Sequence, residues 1–146
     1  MSEAIPDVVI ERKIAAPPRK VFEAWLDPQA LKRFMFPTAG AGVALARCDA
    51  RVGGQFVIVM TVGGDEKEAR GEYLEIKRYS RIEFTWLSCH AGSNSRVTLL
   101  FSETADGHTQ LTLEHRGLPS LESCNGHRNG WAHILEALSV FEAIAA

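Results

Sequence analysis

Apolar and polar positions along this chain follow two periods, and the change of period divides it. Over residues 118–146 the apolar residues Trp131, Ile134, Leu135, Leu138, Phe141 and Ile144 recur at three- and four-residue steps, which predicts one amphipathic helix. At helical rise this segment spans roughly 40 Å. So much apolar surface needs a broad partner, and the preceding residues supply it with a period of two. Residues 8–16 alternate Val8, Ile10, Arg12 and Ile14 against Val9, Glu11 and Lys13. Residues 43–48 read as a short strand, 55–62 as the most apolar and hence central strand, and 68–77 as the next. Residues 81–88 set Ile82, Phe84 and Trp86 against Glu83, Thr85 and Leu87. Residues 95–103 place Val97, Leu99 and Phe101 on one face, and residues 108–116 turn Leu111, Leu113 and His115 inward. Gly63-Gly64-Asp65 and Asp106-Gly107 are hairpin signals between these runs.

Between the first strand and the rest, the period becomes helical for two short stretches. Pro17-Pro18 stops the strand and suits the first turn of a helix whose face carries Val21, Phe22, Trp25 and Leu26. Asp27 can cap a second helix with Pro28 at its first position and Leu31, Phe34 and Met35 on its apolar side. The order is strand, two helices, six strands, long helix. Strands segregated from helices, with short connections, predict an α+β fold with an antiparallel sheet. One sheet face packs on the long helix and the other meets water. A length of 146 residues suits one domain, residues 1–146. Gly126 and Gly130 interrupt the long helix, each at about 1 kcal/mol relative to alanine. They mark a late helix start, a close approach to the sheet, or a bend or gap beside a ligand cavity.

Composition narrows the function. Hydrophobic residues make up 46% of the chain, enough for a sizeable core, and the net charge is −2 without any basic block. Nucleic-acid binding is therefore not expected. No apolar run approaches the length of a membrane span, so membrane insertion is not expected either. The first seven residues lack the basic and apolar regions of a signal peptide. Cys48, Cys89 and Cys124 are odd in number and far apart, which fits a reducing cytoplasm. His90, His108, His127 and His133 show no ligand spacing and no cysteine pair has the zinc gap, so neither a metal nor another cofactor is expected. The glycine pairs are turns, since neither precedes a helix or carries the Lys-Ser/Thr of a phosphate loop.

Six segments, in register over nearly the whole chain, resemble a known family. They are Ile14-Ala15-Ala16-Pro17 with Val21-Phe22 and Asp27-Pro28; Val52-Gly53-Gly54-Gln55-Phe56; Gly71-Glu72-Tyr73-Leu74-Glu75-Ile76; Arg81-Ile82-Glu83-Phe84-Thr85-Trp86; Leu118-Pro119; and Gly130-Trp131. The family is the bacterial stand-alone domains related to the activator of Hsp90 ATPase, within the START/Bet v 1-like (SRPBCC) superfamily. The resemblance implies a helix-grip fold, a curved antiparallel sheet around a long C-terminal helix with a cavity between them. It implies small-molecule binding as the commonest use, although the fold hosts binders, cyclases and regulators alike. The chain departs from the family at Phe34, where a tryptophan is common. It also lacks the separate Asn- and Trp-rich domain of the Hsp90 activators.

The inward positions supply the candidate ligand-binding residues: Phe34, Phe56, Met60, Tyr73, Phe84, Trp86, His115, Trp131 and Leu135. Each either fills a core or lines an apolar pocket with few polar groups. His115 is either a satisfied core histidine or a ligand hydrogen-bonder and general base. Glu114 beside it points to the opposite face. The leading expectation is a binder of a small hydrophobic or aromatic ligand. The alternatives are an enzyme of the polyketide cyclase/dehydratase type using His115, perhaps with Tyr73, and a protein-interaction or co-chaperone-like module. The last would use an exposed patch at Phe34-Met35-Phe36-Pro37, a patch that, like an edge strand, would also suit a homodimer.

Overall fold

The structure, a computed structural model, describes residues 5–145, with side chains through residue 143. Strand β1 (Val8–Ile14) is followed by helices α1 (Pro18–Ala24) and α2 (Pro28–Phe34). Strands β2 (Gly42–Cys48), β3 (Gln55–Val62), β4 (Asp65–Lys77), β5 (Arg81–Ser88), β6 (Gly92–Glu103) and β7 (Thr109–Arg116) come next, and helix α3 (Leu121–Ala145) ends the fold. All neighbouring strands are antiparallel, in the order β1-β7-β6-β5-β4-β3-β2. The first strand therefore joins the sheet beside the last. This is the helix-grip arrangement expected from the alternation and the resemblance.

Local chemistry sets the boundaries. Asp27 caps α2 by accepting from the Gln29 N–H at 2.9 Å, with Pro28 at the first position. Helix α3 begins at Leu121, three residues later than expected. Pro119 brings no N–H, and Ser120 caps the helix by accepting from the Ser123 N–H at 3.0 Å. From there α3 runs unbroken through Gly126 and Gly130, so neither glycine marks a helix start. Strand β6 begins at Gly92, three residues earlier than expected, because Gly92 pairs with Ser88 across a tight turn. Ile144 of the expected apolar stripe, the expected helix end at Ala146, and residues 1–4 lie outside what is described.

The core sits between the inner sheet face and the three helices. Helix α3 lies against β1 and α2. Ile134, Leu135 and Leu138 are buried, and Arg12 of β1 reaches Glu136 of α3 in an ion pair. Across the sheet, His115, Val97, Phe84 and Tyr73 stand side by side on successive strands β7, β6, β5 and β4. Phe34 and Met35 turn into this core, Phe34 against Trp25 at 5.1 Å and Phe141 at 6.3 Å between ring centroids. Phe36 is half-buried with its ring 5.8 Å from that of His133. The exposed patch expected at these residues is thus not formed, because α2 packs its apolar side on α3 and β2.

Candidate functional site

Beneath the N-terminal half of α3 the sheet and helix part, leaving a cavity of about 660 Å³ open at one side. The parting follows from the helix sequence. Ser120, Ser123, His127 and Gly130 recur at three- and four-residue steps, extending the stripe of Trp131 and Ile134 toward the N-terminus with mostly small residues. A Cβ on Gly126 would meet nothing within 4 Å, and one on Gly130 would meet only Pro37 at 3.3 Å. Of the readings open for these glycines, the structure supports the gap beside a cavity. The C-terminal half of α3, with Leu135 and Leu138, carries bulk and closes on the core.

Opposite the helix, the wall is apolar: Met60 and Val62 of β3, Ala69 of β4 and Trp86 of β5. Trp86 and Trp131 meet at the back, ring centroids 4.9 Å apart and planes tilted by 56°. The rim is polar, with Lys67 and Glu68 from β4, Cys89 and His90 from the β5–β6 turn, and Glu122 and Ser123 from α3. The Ser123 hydroxyl donates to the His90 carbonyl at 2.6 Å, tying the start of α3 to that turn.

Behind the wall, a polar relay links the Trp131 indole to the Trp86 backbone. The indole N–H of Trp131 donates to Nδ1 of His115 at 3.0 Å. Since tryptophan only donates, Nδ1 is bare and the imidazole proton sits on Nε2. Nε2 donates to the Ser95 hydroxyl at 2.9 Å, which donates to the Trp86 carbonyl at 2.7 Å. His115 is fully buried, and burial, with a smaller contribution from His127, takes its pKa down to about 3. It is a neutral strut joining α3 to β5, β6 and β7.

Of the expected ligand-facing residues, Met60, Trp86 and Trp131 lie on the cavity wall. Trp131 is 2% exposed and touches β5 through Trp86 and β7 through His115. Phe34, Phe56, Tyr73, Phe84, His115 and Leu135 are not on the wall. His115, expected as a ligand partner or base, stands one layer behind it with both ring nitrogens engaged. Phe56, Tyr73 and Phe84 pack on one another, Phe56 lying 5.5 Å from Tyr73 and 5.2 Å edge-on from Phe84. They close together because Gly71, paired with Phe56, leaves room for its ring: a Cβ there would stand 2.7 Å from two of the ring carbons. The Tyr73 hydroxyl lies against the Cys48 thiol, and burial raises its pKa well above the ordinary range.

Sequence reasoning passed over Ser123 and His127. His127 was weighed only against metal spacing, whereas the stripe of small residues pointing the same way was the available signal. Its Nδ1 lies 2.8 Å from the Ser123 carbonyl, and its ring stands edge-on to that of His115 at 4.9 Å. Burial lowers its pKa, which keeps the ring neutral at pH 7. Among the described residues no three His, Cys, Asp or Glu side chains converge as metal ligands would, and no helix is long and apolar enough to cross a membrane.

Comparison with known proteins agrees with this fold. The AHSA1 protein SPO3351 of Silicibacter pomeroyi is 26% identical, aligning over 97% of this chain and 100% of its own with a TM-score of 0.80. Protein CV1439 of Chromobacterium violaceum is also 26% identical, over 92% of this chain and 95% of its own, with a TM-score of 0.78. Protein Ms6760 of Mycobacterium smegmatis shares the fold at 18% identity, with a TM-score of 0.82 over 97% of this chain and 94% of its own. No curated protein matches the sequence. Residues 15–141 match the family described as activator of Hsp90 ATPase homolog 1-like protein, and the chain belongs to that family.

Proposed function

We propose that this protein binds a small apolar or aromatic molecule in the cavity under α3 and does so without turnover. The observation that carries this reading is the cavity itself, about 660 Å³ with an indole, thioether and aliphatic wall and a polar rim. That volume falls within the range of ordinary small-molecule sites, roughly 300–1,000 Å³, and the START/Bet v 1-like fold commonly holds hydrophobic ligands. The proposed contacts are Met60, Trp86 and Trp131, with Phe34, Phe56, Tyr73, Phe84 and Leu135 shaping the site from behind. The acid–base role for His115 loses its footing, because a base must reach the substrate proton and this ring is spent on Trp131 and Ser95. Free Cys48, Cys89 and Cys124 suit a reducing compartment, and the cytoplasm is the proposed location.

Thermal melting across a library of hydrophobic and aromatic compounds tests the proposal. A ligand at a hundred times its Kd stabilises by about 2.7 kcal/mol, a clear shift for a domain of this size. Some compounds should raise Tm in the wild type and fail to do so once Gly126→Phe fills the cavity. A library that moves Tm nowhere overturns the reading.

A further inference from the structure

One histidine on the cavity wall presents a hydrogen-bond acceptor. Nδ1 of His127 faces two oxygens, the Ser123 carbonyl at 2.8 Å and the Ser123 hydroxyl at 3.3 Å. The carbonyl can only accept. The hydroxyl has already given its proton to the His90 carbonyl at 2.6 Å, so toward His127 it too accepts. Both contacts therefore require a proton on Nδ1. In a neutral imidazole the second nitrogen is then a bare acceptor. Among the described residues Nε2 of His127 has no partner and is not enclosed, and the residue lines the cavity. The neighbouring His115 cannot serve it, since its single proton goes to Ser95.

An acceptor held among apolar groups selects for a donor. The ring of His127 stands against His115, whose ring is 6.0 Å from Trp131 and 6.4 Å from Trp86. The acceptor thus belongs to a residue that lines the same cavity as the two indoles. Resting on the binding role proposed above, we infer that the cavity takes an aromatic molecule bearing a hydroxyl group, and that this hydroxyl donates to Nε2 of His127. An ether or ketone in the same place would bring a second acceptor and leave both lone pairs unanswered, an arrangement that costs affinity. Glu68 and Glu122 at the rim also accept, so the test must separate them from His127.

The experiment is calorimetric titration at pH 7.5 with 2-naphthol and 2-methoxynaphthalene, which share a ring system but differ in the donor. The wild type should bind 2-naphthol at least about tenfold more tightly, the factor that one well-placed hydrogen bond supplies. His127→Phe keeps a flat ring but no acceptor, and should lose the preference for 2-naphthol. Ser123→Ala removes the hydroxyl but not the carbonyl, and should keep the preference. Equal binding of the two probes by the wild type overturns the inference while leaving the cavity reading intact. A preference that survives in His127→Phe also overturns it, by placing the acceptor at the rim. Binding of neither probe overturns it as well, while the cavity reading stands or falls with the compound library. The wild-type comparison holds even if a variant fails to fold.

Discussion

Trp131 joins two roles that a single side chain rarely carries together. Its ring forms part of the cavity wall, and its N–H anchors α3 to His115. Trp131→Phe should retain most of the ring and strand His115 Nδ1 without a donor. The expected loss is about 1–3 kcal/mol in urea unfolding, the penalty for an unpaired buried polar atom. Trp131→Ala should cost about 3–5 kcal/mol, the range for a buried large aromatic, since Trp131 is almost fully buried. His115 adds a pH dependence whose sign follows from its burial. Unfolded, it titrates near the ordinary histidine value of about 6.5; folded, at about 3. Above the higher value neither state binds the proton, and the neutral strut is at full strength. Between the two values the unfolded state gains a proton and the folded state does not, so stability falls by up to about 1.4 kcal/mol per pH unit. The half-buried ring of His127 has a lowered pKa too and steepens the fall. His115→Gln, which can accept from Trp131 and donate to Ser95, should flatten the slope in urea titrations between pH 7 and pH 4.5. An unchanged slope would mean that His115 is not the group responsible.

At the scale of elements, α3 is two helices end to end in function though one in backbone. Its second half is bulky and closes on the core; its first half is small and leaves a space. Gly126→Ala should therefore raise stability by about 0.5–1 kcal/mol, because alanine is the better helix former and its Cβ meets nothing. Ligand binding should survive it. Gly71→Ala on β4 should do the opposite, since the added Cβ would stand 1.9 Å from the Thr85 carbonyl oxygen and press on the Phe56 ring. Chemical denaturation should show a loss of at least about 2 kcal/mol, within the range for overpacking. These two glycines also mark how far the sequence could be read. Strands such as residues 81–88 and 109–116 were legible because one face is dry and the other wet, so alternation is strict. The helices were legible from their period, and α2 also from its Asp27 cap. The division of inward aromatics between core and cavity was not. It depends on which residues face each other across strands, as Phe56 faces Gly71, and on the register shifts near Tyr73 and Trp86. Those relations join distant parts of the chain and leave no local periodicity. The stripe of Ser120, Ser123, His127 and Gly130 was present in the sequence, but small residues at helical spacing carry no hydrophobic signal.

On the whole molecule, the sheet order places β1 against β7, so that Val8 faces His115 and Ile14 faces Thr109. The same strand meets α3 through Arg12 and Glu136. The two ends of the fold are thus fastened to each other, and the cavity lies under the later one. In kinetic terms, contacts this far apart along the chain must await closure of a loop of about a hundred residues, which makes such topologies slow to form, on the order of milliseconds to seconds. Strands β3 to β6 can pair from hairpins alone, whereas the pocket exists only after α3 has docked. Stopped-flow refolding should therefore show the indole signal of Trp131 arriving in the slowest phase, with ligand added to the refolding buffer leaving earlier phases unchanged. During synthesis the same order holds. The growing chain has no cavity until α3 has left the ribosome, so a ligand of the proposed kind would meet only chains whose α3 has docked, and would reward that docking instead of guiding it.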